Sequence, residues 1–453
     1  MLSITRPLWF DEIYTAWVSR LPLPDLVAAL RVDSGPPGFY VFEKAFVGIA
    51  EKGLADDRIL RAFPFLAAAA LFAFARTLPS GSARIVFGLL CSSSLLINLY
   101  AGEARSYAPL ALFVLALFLA ALRGAETPAR LAAAGGAAAL ALYTHYLGIF
   151  AVGAVALLAA ANRRWRSLAA VAAGSALFLP WLPVLRAQPA AAVAWMHEGW
   201  GRSVLGFFSA LGGVGRVPGP FGSPPPRPLF VASVAAGLLA ACALAFGPAR
   251  KDRDVRNAAA FTLLVLASVL VAGFRRPVAF AGRTEMAVLP VWLWGVAVAA
   301  RESSFARAAA AATAAAGAAA TVFMLSSPRP VSAPLEAAEN LSRATRRGDV
   351  VIAATGFYLP ARLAAERGCL AARVVPLPSE LSDHPGWFEP AFPGAPEEKV
   401  VAQAASSLPP GGRLFFAVPA VYATPRLFAP LGPEPRLRPL MRTQGALVAV
   451  WSR

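Results

Sequence analysis

Near the start of the chain two adjacent carboxylates follow an aromatic pair, in Leu8-Trp9-Phe10-Asp11-Glu12-Ile13-Tyr14-Thr15-Ala16. Trp and Phe favour a membrane interface. A carboxylate beside them is partly desolvated, which suits it to take a proton from a hydroxyl as general base or to hold a divalent cation. The plainer role is a helix cap, with Asp11 in the first turn. Further on, Asp33-Ser34-Gly35-Pro36-Pro37-Gly38-Phe39-Tyr40 adds a third acid on a rigid turn, and Arg58 and Arg61 are spaced to share one helix face. Gly102-Glu103-Ala104-Arg105-Ser106-Tyr107 sets an acid and a base two apart, and Thr144-His145-Tyr146 carries a lone imidazole at the end of an apolar run. Ionisable residues in such places often only snorkel to the interface. Gathered on one face, however, acids that accept a proton and arginines that grip phosphate form a site for an anionic lipid headgroup and a hydroxyl acceptor.

The elements that must position these residues are membrane spans. Of 453 residues 58% are hydrophobic and 15% charged, with a mean hydropathy of +0.59, which excludes a soluble globule. The net charge of +17 does not point to nucleic acid, because no block of five basic residues exists and the arginines fall between apolar runs. Three scattered cysteines, Cys91, Cys242 and Cys369, have neither disulfide-framework nor zinc-ligand spacing, and no metal ligands are assigned. Apolar length and flanking charge predict about ten spans: 62 to 77, 85 to 101, 107 to 122, 131 to 145, 147 to 161, 168 to 185, 229 to 247, 258 to 274, 286 to 300 and 307 to 325. Alternate loops carry Arg76/Arg84, Arg123/Arg130, Arg163/Arg164/Arg166, Arg250/Lys251/Arg253/Arg256 and Arg301/Arg307, which the positive-inside rule assigns to the cytoplasm.

The opposite, extracytoplasmic face receives residues 1–61, the turn 102–107 and Thr144-His145-Tyr146, together with the loop 186–228, the segment 275–283 and the tail. Three regions result: a first outer loop, 1–61, with interfacial helices; a transmembrane domain, 62–325; and a soluble domain, 326–453. Short apolar runs at Val350–Ala354, Leu414–Val418 and Ala446–Trp451 between helix-like stretches make the tail a small α/β domain. Its Asp383-His384 pair reads as a loop feature rather than a catalytic dyad, and Trp195-Met196-His197-Glu198 as an interfacial helix that could gate an acceptor. An even number of spans puts Met1 outside with no apolar helix before it, so a further span upstream is expected. The segment Gly38–Ala50 is short and contains Glu43 and Lys44, and is read as a surface helix instead.

The order of the motifs resembles the integral-membrane glycosyltransferases of GT-C fold that use polyprenyl-phosphate sugars, of the protein O-mannosyltransferase and aminoarabinose lipid A transferase type. Members read aromatic-Asp-Glu-x-x-Thr, then Asp-x-His-Pro-Pro-x-Tyr-Tyr, Leu-Arg before a span, Glu-Ala-Arg-x-Tyr, and Thr-His-Tyr. The chain has Phe10-Asp11-Glu12-Ile13-Tyr14-Thr15, Asp33 to Tyr40, Leu60-Arg61, Glu103-Ala104-Arg105-Ser106-Tyr107 and Thr144-His145-Tyr146. Each motif alone is weak; five in order are specific, and the resemblance as a whole spans roughly residues 8 to 325. Leu179-Pro180-Trp181-Leu182-Pro183 and Gly282-Arg283 resemble later landmarks of the family.

The resemblance implies a mainly α, polytopic GT-C bundle with amphipathic surface helices and a small C-terminal α/β extracytoplasmic domain. It implies that Asp11 is the base on an acceptor hydroxyl, that Glu12 assists, and that sugar transfers with inversion from a lipid phosphate gripped by Arg61, Arg105 and Arg283, with Arg58 beside them. Asp33, Glu103, Tyr107 and His145 would line the site. The partners implied are a polyprenyl-phosphate sugar, an acceptor that is lipid, protein or glycan, and the bilayer of a bacterial inner membrane. No cofactor is assigned, and a divalent cation stays open. Gly35 stands where the family has His, so any metal or phosphate role of that His has no counterpart here, and Gly38 replaces a bulky residue. A transporter or flippase of a lipid-linked or anionic solute is the alternative, as is a non-catalytic family member. Transporters put charges at mid-span and repeat their motifs; here mid-span positions are apolar and no motif repeats.

Overall fold

The computed structural model describes residues 8–50, 59–189, 199–217, 224–275, 278–327, 333–382, 384, 397–420, 423, 425–432, 436–442 and 446–452. They form two compact units. The first comprises the described residues from Ser19 to 327; the second joins residues 8–18 to the described residues from 333 onward. The first stretch of the expected outer loop 1–61 thus groups with the C-terminal domain.

In the first unit α2 (Leu23–Arg31) and α3 (Gly38–Ala50) precede the bundle. Phe39, Tyr40, Glu43 and Val47 are the buried stripe of α3, and Lys44 donates to the carbonyls of Ser19, Arg20 and Leu21 at 3.4, 3.4 and 2.8 Å. The polar pair that makes this segment too polar to span is therefore used within the protein. Phe63 packs against Phe39, Phe42 and Phe46 at 6.2, 5.2 and 5.9 Å between ring centres, which fixes α3 against the start of α4 (Ala62–Leu71).

Every expected span is helical: α4 and the 3-10 turn after it, α5 (Gly81–Ser93) with α6 (Leu95–Ala101), α7 (Tyr107–Leu122), α8 (Pro128–Thr144), α9 (Leu147–Ala161), α10 (Trp165–Ala176) with α11 (Leu182–Ala187), α13 (Arg227–Phe246), α14 (Arg253–Gly273), α15 (Leu289–Glu302) and α16 (Ser304–Ser326), with α12 (Trp200–Leu211) between. Five helical stretches, Ile59–Thr77, Trp165–Ala187, Arg227–Phe246, Arg253–Gly273 and Ser304–Ser326, are long and apolar enough to cross a bilayer. Tyr107–Leu122 and Leu147–Ala161 are apolar but shorter. From Leu289 to Ala300 α15 is buried all round, so protein rather than lipid covers it. By contrast Phe246, Leu263 and Val271 are largely exposed, as suits helices whose solvent is hydrocarbon. The chain is a multi-pass membrane protein.

The segment 85–101 departs from the expectation of one straight span, bending by 65° between α5 and α6. The freed backbone groups find partners: the Leu95 N–H donates to the Gly213 carbonyl at 2.9 Å, and Thr321 Oγ1 and Asn98 Nδ2 donate to the carbonyls of Ser93 and Ser92 at 3.3 and 2.7 Å. Small residues bring backbones together elsewhere, since a Cβ on Gly174 would lie 2.0 Å from the Gly135 carbonyl and one on Gly237 2.0 Å from that of Phe208.

Charged loops meet at one end of this bundle. Arg123 donates to Asp254 at 2.8 Å and to the Thr77 carbonyl, Arg164 donates to the carbonyls of Ala121 and Gly124 at 2.7 and 2.8 Å, and Arg301 lies 3.8 Å from Asp252. All five arginine-bearing loops that the sequence assigns to one side contribute residues to this end or flank those that do. The other end of α7, about 24 Å away at 1.5 Å per residue, begins at Tyr107.

In the second unit a five-stranded sheet has the order β2-β1-β3-β5-β4, with β1 (Val350–Ala354), β2 (Arg373–Leu377) and β3 (Arg413–Pro419) parallel and β5 (Ala446–Ser452) antiparallel to β3 and to β4 (Leu437–Arg442). Side chains of β1 alternate: Val351 and Ala353 face α17 (Ala333–Ala344) and α18 (Tyr358–Glu366), whereas Val350, Ile352 and Ala354 face α19 (Glu397–Ser406). Covering both faces makes β1 apolar throughout. Residues 8–18 add most of α1 (Phe10–Arg20) to this unit.

Candidate active site

Tyr107 opens α7, and the turn from Gly102 to Ser106 returns the chain from α6 to it. The Tyr107 ring lies 4.5 Å from that of Tyr100 and 5.1 Å from the imidazole of His145. The guanidinium carbons of Arg105 and Arg283 each lie 5.9 Å from its centre, and that of Arg283 also 5.3 Å from the Phe280 ring. One electron-rich ring thus gathers two permanent cations. His145, in the turn between α8 and α9, feels them: burial, then Arg105 and Arg283, push its pKa down to about 3. Its Nδ1 accepts from the Leu147 N–H at 3.0 Å, so the neutral ring carries its proton on Nε2, which leaves that N–H as a donor. Two guanidiniums and a neutral imidazole donor form a locus suited to an anion with several oxygens.

The loop bearing Arg283 is tied down locally. Thr284 Oγ1 accepts from the Phe280 N–H at 3.0 Å and reaches the Phe280 and Val278 carbonyls at 3.1 and 3.3 Å. Arg61, 1% exposed, ends the turn before α4, and α4 packs against both α6 and α7, which flank the Arg105 turn. Glu103 is buried in that turn. Asp33 lies in the turn after α2, which Gln188 braces by donating to the Leu30 and Gly35 carbonyls at 2.6 and 3.2 Å. Gln188 in turn accepts from Tyr146 at 2.7 Å, and Tyr146 accepts from Trp181 Nε1 at 2.9 Å. Burial, partly offset by these bonds and reinforced by nearby Asp33, pushes the Tyr146 hydroxyl up to about 12. The Asp33 turn is thereby fastened to the residue next to His145.

The structure thus brings Arg105, Tyr107, His145 and Arg283 together, with Glu103 on the same turn, and fastens the Asp33 turn beside them. Arg58 and the Trp195–Glu198 stretch lie outside the described residues. Sequence reading did not single out Tyr100, Gln188 or Glu285; a tyrosine at the end of an apolar run and a lone glutamine after one carry no spacing signal.

Asp11 and Glu12 belong to the second unit. Both are buried, 8% and 0% exposed, in the first turn of α1. Glu12 Oε2 accepts the Trp9 N–H at 3.3 Å, the reach-back of a capping box, so the capping expected of Asp11 is seen at its neighbour. Thr15 Oγ1 donates to the Asp11 carbonyl at 2.9 Å. One turn on, Tyr14 Oη lies 3.2 Å from His384 Nε2, with Trp17 edge-on to the same imidazole at 5.9 Å. His384 therefore contacts α1; Asp383 lies outside the described residues. Among the described residues no group of three or more His, Cys, Asp or Glu side chains is placed to hold a metal ion.

No family model and no curated protein matches the sequence. Among solved structures, ArnT from Cupriavidus metallidurans in the apo state superposes with a TM-score of 0.59 at 12% identity, over 99% of this chain and 94% of that one. ArnT from the same organism bound to undecaprenyl phosphate gives 0.55 at 13%, over 99% and 95%. At such identity the likeness is one of fold. The helical bundle with its small C-terminal mixed-sheet domain has the GT-C fold.

Proposed function

We propose that the chain transfers a sugar from a polyprenyl-phosphate donor to an acceptor hydroxyl at the extracytoplasmic face of the bacterial inner membrane, with inversion at the anomeric carbon. The observation that carries this reading is the meeting of Arg105 and Arg283 at the Tyr107 ring beside a neutral His145. In the reaction the acceptor oxygen attacks the anomeric carbon and its proton passes to the Asp11 carboxylate. The bond from that carbon to the phosphate oxygen breaks, and its electron pair leaves with the polyprenyl phosphate. The guanidiniums stabilise the charge that grows there. Glu12 holds the first turn of α1, and hence Asp11, in place. Arg61 adds a third cation toward the phosphate. The active face is the end of the bundle away from the arginine-rich loops.

One observation favours a second reading. The bend between α5 and α6 is the kind of broken helix that transporters place at a substrate site, so a carrier or flippase for a lipid-linked anion is the rival. Membranes containing the chain, given a radiolabelled polyprenyl-phosphate sugar, separate the two: the transferase releases polyprenyl phosphate and labels an acceptor, and Asp11→Asn stops it. Label that crosses the bilayer intact without release, across several donor sugars, would sink the transferase.

A further inference from the structure

The peptide of Gly282 is held from both sides. The hydroxyl of Tyr100 donates to its carbonyl, and Oε2 of Glu285 accepts its N–H at 2.8 Å. Gly282 has φ +93°, a conformation that any other residue adopts only with strain. The next residue is Arg283. The geometry points to Tyr100 and Glu285 as a clamp on the Gly282 peptide that aims Arg283 at the anion, which makes both positioning residues for the phosphate grip of the proposed transferase.

The chemistry of Glu285 fits that task. Burial, only partly countered by N–H bonds and by the charge of Arg216, pushes its carboxyl up to about 8, which favours the uncharged acid at neutral pH. Its Oε1 is buried without a hydrogen-bond partner among the described residues, which the neutral form tolerates far better than a carboxylate. A protonated acid orients the backbone without adding negative charge to the loop that carries Arg283. Tyr100 links the clamp to the ring cluster, since its ring packs on Tyr107, the ring both guanidiniums approach. The loop of Arg283 and the turn of Arg105 are thus registered to each other through one tyrosine pair.

The inference rests on the phosphate role of Arg283, so its test carries one readout that needs no ligand. Full-length wild type, Glu285→Gln, Glu285→Ala and Tyr100→Phe are compared by hydrogen exchange over residues 278–288, by equilibrium binding of polyprenyl phosphate, and by KM and kcat for the labelled donor. Glu285→Gln keeps a neutral acceptor and is expected to match wild type in exchange and to bind within about twofold. Glu285→Ala and Tyr100→Phe are expected to speed exchange of the Gly282 amide and to raise the donor KM by about tenfold, roughly the 1.4 kcal/mol of a lost hydrogen bond, with a smaller change in kcat. Unaltered exchange in both Glu285→Ala and Tyr100→Phe, or equal damage from Gln and Ala, overturns the clamp. If exchange responds as expected but wild type binds no polyprenyl phosphate, the clamp stands and the donor assignment of Arg283 falls.

Discussion

Arg105 and Arg283 place their guanidinium carbons at the same 5.9 Å from the centre of the Tyr107 ring, one from the turn before α7 and the other from the loop before α15. Two like charges around one ring repel each other, and a phosphate between their donors would turn that cost into attraction. Arg105→Ala and Arg283→Ala are each expected to lower donor-dependent release of polyprenyl phosphate by about 10²-fold. Lysine at either position restores part of this, because it keeps the charge and loses the planar fork. Activity within twofold of wild type in both alanine variants would remove the phosphate role.

Asp11 and Glu12 are adjacent in sequence and differ in bonding, which predicts different responses. Asp11→Asn keeps the shape of the side chain and removes the base, and a loss of 10²-fold or more in transfer is expected, typical of general-base catalysis. Glu12→Gln preserves the acceptor for the Trp9 N–H and should cost far less, whereas Glu12→Ala loses the bond and about 1 kcal/mol of stability. Rates and thermal midpoints of the three variants decide the division; equal loss in Asp11→Asn and Glu12→Gln would contradict it.

Gly38 opens α3, and a Cβ there would come within 2.6 Å of the Tyr143 carbonyl of α8. This contact explains why a small residue stands where the resembling family has a bulky one. Gly38→Val is expected to destabilise the chain by about 1–3 kcal/mol, as overpacking does, with a lower thermal midpoint in detergent. A midpoint equal to wild type would show that α3 can move away freely.

In the second unit Asp349 has a side chain with 0% exposure and receives Arg413 Nη2 at 2.7 Å, the Arg413 N–H at 3.0 Å and the Arg346 N–H at 2.9 Å. Burial alone would raise its carboxyl, but the bonds from Arg413 and Arg346 outweigh that and hold it below the usual aspartate range. With the folded value depressed, the unfolded state binds more protons in between, and stability rises with pH there. The contribution is complete above the unfolded value of about 3.9 and is lost as pH falls through the folded one. Asp349→Asn should therefore lower the thermal midpoint at pH 7 and approach wild type in acid; a constant difference from pH 7 to pH 2 would refute the linkage.

Much of the fold is legible because its signals are local. An apolar run of fifteen to twenty residues can satisfy its own backbone only as a helix, so each expected span is helical, and Val350–Ala354, apolar throughout, forms a strand buried on both faces. The bend at Ser94 is not legible, since it depends on the carbonyl of Gly213 and the hydroxyl of Thr321, which are distant in sequence. The same holds for α1: nothing in Trp9 to Thr15 says that these residues group with the tail, because that depends on packing rather than periodicity.

By itself the sequence determined the membrane class, the helices, the arginine-rich loops and the residue types available for chemistry, because hydropathy, loop charge and motif order depend on neighbours along the chain. Tertiary structure alone decided that Arg105, Tyr107, His145 and Arg283 meet, that Gln188 braces the Asp33 turn, and that Tyr100 and Glu285 hold the peptide before Arg283. Those contacts join α6, α7, the α8–α9 turn and the loop before α15. Single tyrosines, glutamines and glutamates have no spacing rule that marks them, and only the packing of several helices brings them within hydrogen-bond reach.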